Sequence, residues 1–478
     1  MMDINNSELF PDKWDESADV VIIGSGFAGL AAAIEAKQAG ASVMILEKMK
    51  GYGGNSIISD GMVAAAGTPM QENAETKDSP DLMYQDMLKA GLGLNYPDLA
   101  RTVAQRSNAA LQWTIDYLGV KYKDTLHHLG GHSVPRSHAT YNFSGSAIIK
   151  QQIKKIKEMS MNVRRQMYLQ RIMKNPQGRV CGVRVRDGYH FPDPESGVPK
   201  YIRAKKTLIL ATGGFANDIP FRTAQDPRLS NEVDSTNKES TTAEVLREAL
   251  RIGATPVHLS LIQLGPWTSP DEKMYGVGPL FADYIVFPFG VLIHPTMGRR
   301  FVSELADRKI RADAILKVGQ ACIGIADQSG VEQSGQQIER CLEKGVVKKF
   351  NHLKDLASCY DLPLGALKET IDQYNQSVDQ KLDKEFAKPI LAGALPLIRP
   401  PYYGIRLWPK VHHTMGGVQI NTKAQVMDLS HKPIKGLYAA GEVTGGIHGA
   451  CRLGSCAITD CLVFGRIAGR NAANEEVE

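Results

Sequence analysis

Three glycines and one acidic residue near the start of the chain have the spacing of a nucleotide-binding motif. Gly24, Gly26 and Gly29 form the pattern G-S-G-F-A-G, and Glu47 follows. Such glycines permit a tight turn and let backbone amides approach a pyrophosphate, while the following helix N-terminus supplies partial positive charge. An acid about 20 residues further on accepts hydrogen bonds from a ribose diol. These four residues therefore predict a dinucleotide-binding site.

The segments around these residues have the hydrophobic patterns that such a site requires. Residues 19–23 (DVVII) and 41–48 (ASVMILEK) are typical of buried parallel strands, and 30–40 (LAAAIEAKQAG) predicts a helix between them. Two more apolar runs end in glycine, at 207–215 and 436–446, before a helical C-terminal segment. The pattern predicts an α/β fold whose sheet is completed by the C-terminal residues. No second G-x-G-x-x-G occurs, so no separate NAD(P) site is predicted.

Composition excludes several classes of protein. The 478 residues are 43% hydrophobic and carry a net charge of only +5, which argues against a disordered chain and against a nucleic-acid partner. The sequence contains no run of about 18 apolar residues, so it does not predict a transmembrane helix. Residues 1–19 lack the features of a signal peptide, which predicts a cytoplasmic protein, or a periplasmic one if a signal peptide was removed. Seven sparse cysteines predict neither a disulfide framework nor a metal site.

Four motifs resemble the flavoprotein family of succinate dehydrogenase and fumarate reductase. They are GYGGNSIISDG (51–61), ATGGF (211–215), HHTMGGVQINTKAQV (412–426) and GLYAAGEVTGGIHGACRLGSCAITD (436–460). The closest branch is the soluble flavocytochrome c type, which includes fumarate, urocanate and other 2-enoate reductases, and the chain looks most like the urocanate type. The resemblance implies a two-segment FAD-binding Rossmann-like domain (1–263 and 411–478) with an inserted α+β capping domain (264–410).

The resemblance also implies how the cofactor is held. Membrane-bound members attach FAD covalently through a histidine that follows the ribose acid, but here no histidine precedes His127, which implies non-covalent FAD. The implied FAD contacts are Gly24, Gly26, Ala28, Gly29, Glu47, Lys48, Gly53, Gly54, Asn55, Ser56, Gly61, Thr212, Gly213, Gly441, Glu442, Ser455, Ala457 and Ile458.

A second set of residues could donate a proton and bind a carboxylate. Reduction of a C=C bond beside a carboxylate needs a hydride at the β-carbon, a proton at the α-carbon and positive groups at the carboxylate. The stretch R-F-x-x-E-x-x-x-R that ends at Arg308 resembles the family's, whose last arginine is the proton donor, while flavin N5 supplies the hydride. His412 and Arg452 match the family's carboxylate-binding pair. Spacing alone favours other roles for these residues. Arg308 would pair with Glu304 on a helix surface, His412 would be a core residue and Arg452 would bind the flavin phosphate.

The loop RSHATYNFSGS (136–146) resembles the family's loop beside the flavin and the substrate. Arg136, Ser137 and His138 could therefore contribute to the site. The alternative is a polar loop without a function.

The sequence departs from fumarate-reducing relatives at the second carboxylate. Gly265 occupies the position at which those relatives have a histidine that binds the second carboxylate of the substrate. Tyr284 and Phe287 occupy the positions at which those relatives have a Glu and an Arg that relay protons. Because a buried carboxylate without partners is costly, a monocarboxylate of the urocanate, cinnamate or acrylate type is predicted. The predicted substrate contacts are His412, Arg452, Tyr284, Asp283, Phe287, Trp267 and Gly454. The alternative role of the aromatic residues is to form the core of the cap.

Three classes of function remain open. The first is an FAD-dependent enoate reductase, with fumarate as the alternative substrate and electrons from an external cytochrome c or reduced flavin partner, since the chain has no C-x-x-C-H haem-attachment motif. The second is a flavin dehydrogenase or oxidase that runs in the opposite direction. The third is an electron-transfer subunit without catalysis. An acid at Arg308 and an anion-binding pair favour the first class.

Overall fold

The sheets and helices are described for residues 11, 13–391 and 393–477 of a computed structural model. The strands are β1 (Glu16–Ile23), β2 (Val43–Glu47), β3 (Met62–Ala64), β4 (Tyr122–His127), β5 (Ser137–Thr140), β6 (Val163–Arg165), β7 (Met167–Lys174), β8 (Val180–Asp187), β9 (Val198–Leu210), β10 (Pro256–Val257), β11 (Ile262–Gly265), β12 (Val291–Ile293), β13 (Cys322–Asp327), β14 (Val347–Phe350), β15 (Tyr402–Leu407), β16 (Lys410–Thr414), β17 (Gly417–Gln419), β18 (Gln425–Met427), β19 (Pro433–Ala439) and β20 (Thr444–Gly445).

Helices connect these strands throughout. They are α1 (Phe27–Gln38), α2 (Pro69–Asn73), α3 (Pro80–Ala90), α4 (Pro97–Gln112), α5 (Ser146–Glu158), α6 (Ile219–Gln225), α7 (Glu244–Arg251), α8 (Gly278–Phe281), α9 (Phe287–Phe289), α10 (Arg308–Val318), α11 (Gln328–Ser334), α12 (Glu339–Glu343), α13 (Leu353–Cys359), α14 (Leu364–Asp379) and α15 (Cys456–Ala473). Gly54–Ile58 forms a 3₁₀ helix, and Trp113–Tyr117 and Ala282–Val286 form π-helical turns. Among the described residues, no helix combines the length and the apolar character that crossing a membrane requires.

The chain divides into two units. The first contains the chain up to Pro227, Lys238–Ile262 and the chain from His413, and the second contains Arg228–Asn237 and Gln263–His412. The grouping differs from the boundaries expected from the sequence, because Arg228–Asn237, Gln263, Val411 and His412 all group with the inserted unit. Part of the stretch predicted for the first domain, residues 1–10 and 12, lies outside the described residues, as does most of the segment inspected for a signal peptide.

A mixed sheet forms the centre of the first unit. Its path is β18-β19-β9-β1-β2-β6, and β7 and β8 extend it from β9. The pairs β1–β2, β1–β9, β9–β19 and β2–β6 are parallel, as the buried apolar runs predict. Because β9 and β19 come from distant parts of the sequence, residues on either side of the inserted unit meet in one sheet.

Helix α1 is buried on nearly every side, which its run of small residues allows. Its residues from Phe27 to Ala36 are all buried. Helix α15 contacts α1 through two glycines, at which a side chain would not fit. A Cβ at Gly465 would lie 2.6 Å from the carbonyl oxygen of Ala28, and a Cβ at Gly469 would lie 2.1 Å from the carbonyl oxygen of Ala32. This close packing fixes the start of α1, where the glycine motif ends.

The second unit is built on the antiparallel sheet β12-β13-β15-β14. Trp267, Phe281 and Phe287 belong to one of its hydrophobic cores. Helix α10 begins at Arg308, with the Asp307 side chain as its N-cap, which accepts a hydrogen bond from the Ile310 amide at 3.0 Å. The cap places Arg308 in the first turn of the helix.

Candidate functional site

A cleft with about 950 Å³ of open space lies at the carboxyl ends of β1, β2, β9 and β19 in the first unit. This is where open α/β sheets bind ligands. Most of the residues predicted to contact a cofactor line the cleft: Gly24, Gly26, Ala28, Glu47, Lys48, Gly54, Asn55, Ser56, Thr212, Gly213, Gly441 and Glu442.

The glycines of the motif are required by the space around them. A Cβ at Gly24 would lie 2.2 Å from the carbonyl oxygen of Ala211, and Gly24 has φ +104, which side chains disfavour. A Cβ at Gly29 would lie 2.1 Å from the carbonyl oxygen of Gly24. Gly24 thus forms the turn at the cleft, while Gly29 does not line the cleft and serves the packing of α1 against β1.

Glu47 is buried at the end of β2, where its carboxylate is already oriented by the protein. It accepts hydrogen bonds from the Ser25 amide at 3.2 Å, from the Ser25 hydroxyl at 2.5 Å and from the Met49 amide at 3.0 Å. Ser25 also accepts a bond from the Gly53 amide at 3.0 Å, which joins the glycine motif to the following loop. A carboxylate held this way suits a ribose diol.

The wall after Glu47 is tied to a segment far away in the sequence. The Lys48 ammonium donates to the Thr242 hydroxyl at 2.7 Å, and the Asn55 amide donates to the Thr241 hydroxyl at 3.0 Å. Sequence reasoning missed the cleft residues Ser240, Thr241, Thr242, Met167, Tyr168 and Leu169, because no motif marks them. Ser25 was also missed, although it lies inside the glycine pattern.

Glu442 lies in the part of the wall that follows β19. Burial raises the pKa of this carboxyl group, although hydrogen bonds from Thr414 and the charge of Arg452 oppose the shift. The Thr414 amide donates to it at 2.9 Å, and the His413 imidazole lies 3.5 Å away. The lining also includes Cys461, whose thiol pKa is raised by burial.

Five other predicted cofactor residues do not line this cleft. Gly53 has φ +93 beside Ile57, and Gly61 packs against the backbone of Ser144. Ser455 caps α15 with φ +60, and Ala457 and Ile458 lie in its first turn. Their contacts with a cofactor stay predictions.

The second unit brings Arg308 and His412 to the same tryptophan. The guanidinium carbon of Arg308 lies 4.4 Å from the Trp267 ring centroid, a cation–π contact. The His412 ring lies edge-on to the same indole at 5.3 Å, with an interplanar angle of 80°. The His412 Nδ1 contacts the Thr236 hydroxyl at 2.9 Å. Two of the three residues predicted to be catalytic are thus close neighbours, and they are joined by a residue predicted to bind substrate.

The glycine at 265 is explained by this tryptophan. A Cβ at Gly265 would lie 3.3 and 3.4 Å from carbons of the Trp267 indole. A Cβ at this position would therefore be in tight contact with the indole, and a large side chain would have to displace it.

The remaining predicted substrate residues of the second unit have different surroundings. Phe287 is 1% exposed and lies in the core beneath the Arg311 guanidinium, at 4.3 Å. This is the alternative role considered from the sequence, and the structure gives no support for Phe287 as a wall of the substrate pocket. Asp283 pairs with Arg311 at 3.8 Å, and Tyr284 is partly buried in the same π-helical turn.

Arg452 and Gly454 belong to the first unit, in the segment before α15. Arg452 is buried, and its Nη1 contacts the Leu453 carbonyl at 3.4 Å. The carbonyl of Gly454 bonds His132 Nε2 at 2.8 Å. Burial first, and then the charge of Arg136, lower the pKa of His132 to about 3, so this imidazole is neutral and donates its Nε2 proton to Gly454.

Arg136 does not contribute a free charge to a site. It is fully buried and pairs with Asp78 at 2.9 Å and with Asp86 at 2.6 Å. His138 bonds the Thr68 hydroxyl at 3.1 Å and the Arg136 carbonyl at 3.0 Å. The Arg136 and His138 side chains are committed to internal bonds, and a contact of the loop with flavin or substrate stays a prediction.

A profile of the FAD binding domain family matches residues 19–458. The chain belongs to this family. It is 45% identical to the acrylate reductase flavoprotein subunit of Shewanella woodyi, over 96% of the chain and 92% of that protein. It is 30% identical to the urocanate reductase of Eggerthella lenta, over 97% of the chain and 76% of that protein. The solved open conformation of a flavocytochrome c3 fumarate reductase matches 96% of the chain and 78% of its own, at 33% identity and a TM-score of 0.80.

Membership of the FAD binding domain family confirms the resemblance read from the motifs. The α/β fold with a parallel sheet is confirmed by the same structural match. The acrylate reductase subunit is more similar to the chain than the urocanate reductase is, at 45% against 30% identity. The cradle of glycines, the oriented Glu47 and the polar wall fit FAD.

Proposed function

We propose that this protein is an FAD-dependent reductase that saturates the C=C bond of a monocarboxylic 2-enoate. The observation that carries the proposal is the convergence of Arg308 and His412 on the Trp267 indole. An arginine and a histidine beside an aromatic wall suit a small, flat anion. The similarity to an acrylate reductase subunit and a urocanate reductase supports a monocarboxylate.

FAD is held without a covalent bond in this proposal. When bound, it supplies the hydride that the β-carbon of the enoate receives. Glu47 accepts the ribose hydroxyls, and the amides around Gly24 and Gly26 meet the pyrophosphate. No histidine lies among the described residues that line the cleft, which supports non-covalent binding.

His412 and Arg452 bind the carboxylate of the enoate. Arg452 offers two parallel N–H donors to the two oxygens, and His412 adds another. The Thr236 hydroxyl contacts the His412 Nδ1 at 2.9 Å and so helps to orient the imidazole. Positive groups at this end stabilise the charge that develops on the carboxylate as the β-carbon is attacked.

Arg308 delivers a proton to the α-carbon. Its guanidinium lies over the indole of Trp267, a cation–π contact that helps to position it for substrate. The N-terminus of α10 adds partial positive charge beside it, which attracts the anionic substrate.

The two units have separate roles. We assign FAD binding to the first unit and proton donation to the second, which serves as the capping domain. Electrons come from an external donor, a cytochrome c or a reduced flavin partner, because the sequence contains no haem-attachment motif. Seven free cysteines are typical of a reducing compartment, which supports a cytoplasmic location.

Oxidation of a reduced viologen dye under anaerobic conditions tests the function. Acrylate, methacrylate, cinnamate, urocanate and fumarate are supplied in turn, and Arg308→Gln is the control that ties turnover to this site. We expect turnover with at least one monocarboxylate and little with fumarate. Fastest turnover with fumarate refutes the monocarboxylate assignment. Steady oxygen consumption with a saturated acid, together with no oxidation of the dye by any enoate, refutes the assignment as an enoate reductase.

A further inference from the structure

Trp267 carries a buried donor that the protein leaves unused. The residue is 2% exposed, and its indole Nε1 has no hydrogen-bond partner among the residues that the structure describes. A buried N–H without a partner is unfavourable, and native proteins satisfy nearly all such groups. A donor left open in this way marks a place where a ligand supplies the acceptor.

A second unused donor lies against the same indole. Nη1 of Arg308 is also buried, and it has no partner within the described parts of the chain. The guanidinium lies over the ring at 4.4 Å, so the two donors border one site. An acceptor that satisfies both must carry more than one lone pair and fit beside an apolar ring. A carboxylate has this chemistry.

The indole is fixed in this position by its own turn. The Thr268 hydroxyl donates to the carbonyl of Gly265 at 2.8 Å and to that of Trp408 at 2.7 Å. The Trp408 amide donates back to the carbonyl of Thr268 at 2.9 Å. These bonds hold the turn that carries Trp267, and because the side chain is buried the indole has little room to turn its N–H to another acceptor.

We infer that Trp267 is a substrate-binding residue whose indole N–H donates to the carboxylate of the enoate. The inference rests on the proposed function for the identity of the anion, and goes beyond it in naming a donor. His412, whose ring meets the indole edge-on, binds the same carboxylate. The enoate is thus held by a neutral donor in addition to charged ones.

Trp267→Phe tests the inference because it keeps a phenyl ring at this position and removes the N–H together with part of the indole. Loss of a hydrogen bond to a charged group should weaken acrylate binding about 10- to 100-fold. Acrylate is titrated into the oxidised, FAD-loaded protein by calorimetry, so the result does not depend on turnover. In dye-coupled assays KM should rise, as expected when a substrate-binding contact is lost.

Trp408→Phe is the matched control, since it makes the same change in a tryptophan of the same unit. FAD content and circular dichroism establish that both variants fold. If Trp267→Phe binds acrylate within about threefold of wild type, the inference is wrong. A larger loss in Trp408→Phe than in Trp267→Phe also overturns it. Wild type that binds acrylate but never reduces an enoate refutes the proposed function alone.

Discussion

Glu304→Gln should be strongly destabilising, because Glu304 is the centre of a buried set of four charges in the second unit. Its carboxylate accepts from Arg300 at 2.8 and 2.9 Å and lies 3.6 Å from the Lys388 ammonium, and Arg300 also binds Asp383 at 2.7 Å. The four side chains are at most 3% exposed and their charges sum to zero. The variant leaves one positive charge uncompensated.

The expected loss follows from that imbalance. Removing one partner of a buried ion pair costs about 3–5 kcal/mol of the free energy of unfolding, which is about 5–15 kcal/mol in total for a typical domain. Burial lowers the pKa of Lys388 to about 8, with Glu304 acting in the opposite direction. Without Glu304 that pKa falls further, so folded Lys388 loses its proton at a lower pH and the deficit should be smaller at pH 9 than at pH 6.

Urea unfolding of the FAD-loaded protein, followed by circular dichroism, measures the loss. Glu369→Gln is the control, since its pair with Arg299 is exposed and should matter by less than about 1 kcal/mol. Arg300→Met combined with Glu304→Gln removes one charge of each sign, so the double variant should lose less than the sum of the single variants. A loss below about 1 kcal/mol in Glu304→Gln, or a double variant worse than that sum, refutes the reasoning.

Gly24→Ala should abolish retention of FAD, because the added Cβ lies 2.2 Å from the Ala211 carbonyl oxygen. Flavin absorbance after gel filtration measures retention. Gly51→Ala is the control, since its Cβ meets nothing within 4 Å and the variant should retain FAD. Arg308→Gln should lower kcat about 10²- to 10⁴-fold with unchanged FAD content, and activity within about tenfold of wild type would remove Arg308 as the acid. Burial lowers the pKa of His132 to about 3, so the imidazole stays neutral in the folded state. In the unfolded state it takes up a proton below about pH 6.5. The free energy of unfolding should therefore fall by up to about 1.4 kcal/mol for each pH unit below that value. His132→Gln should flatten this slope in unfolding measurements between pH 6 and 4, and an unchanged slope contradicts a neutral His132.

Local sequence patterns predicted the parts of the fold that depend on neighbouring residues. The strand at 19–23 and the helix at 30–40 correspond to β1 and α1, although β1 starts earlier, at Glu16. The extension exists because Glu16, Ser17 and Ala18 pair with Ile202, Arg203 and Ala204 of β9. Pairing partners nearly two hundred residues away leave no local signal.

Long-range contacts also explain which parts of the site were missed. Thr241 and Thr242 are bonded at the cleft to Asn55 and Lys48, which are distant in the sequence. Arg136 was a candidate by its motif, but acidic residues more than forty positions away use its charge. The glycine pattern was informative because its three glycines lie in one short turn between β1 and α1, although the contact that requires Gly24 is with the distant Ala211.

The packing of α15 on α1 has a consequence for biosynthesis. A ribosome releases Gly24 and Glu47 early, yet Ala440, Gly441, Glu442 and Cys461 complete the cleft, and the glycine face of α15 must still dock on α1. A nascent chain therefore cannot take up its flavin until the last helix has emerged from the exit tunnel. During that interval the apolar first helix lacks its partner, so chaperones have a defined target in the unfinished protein.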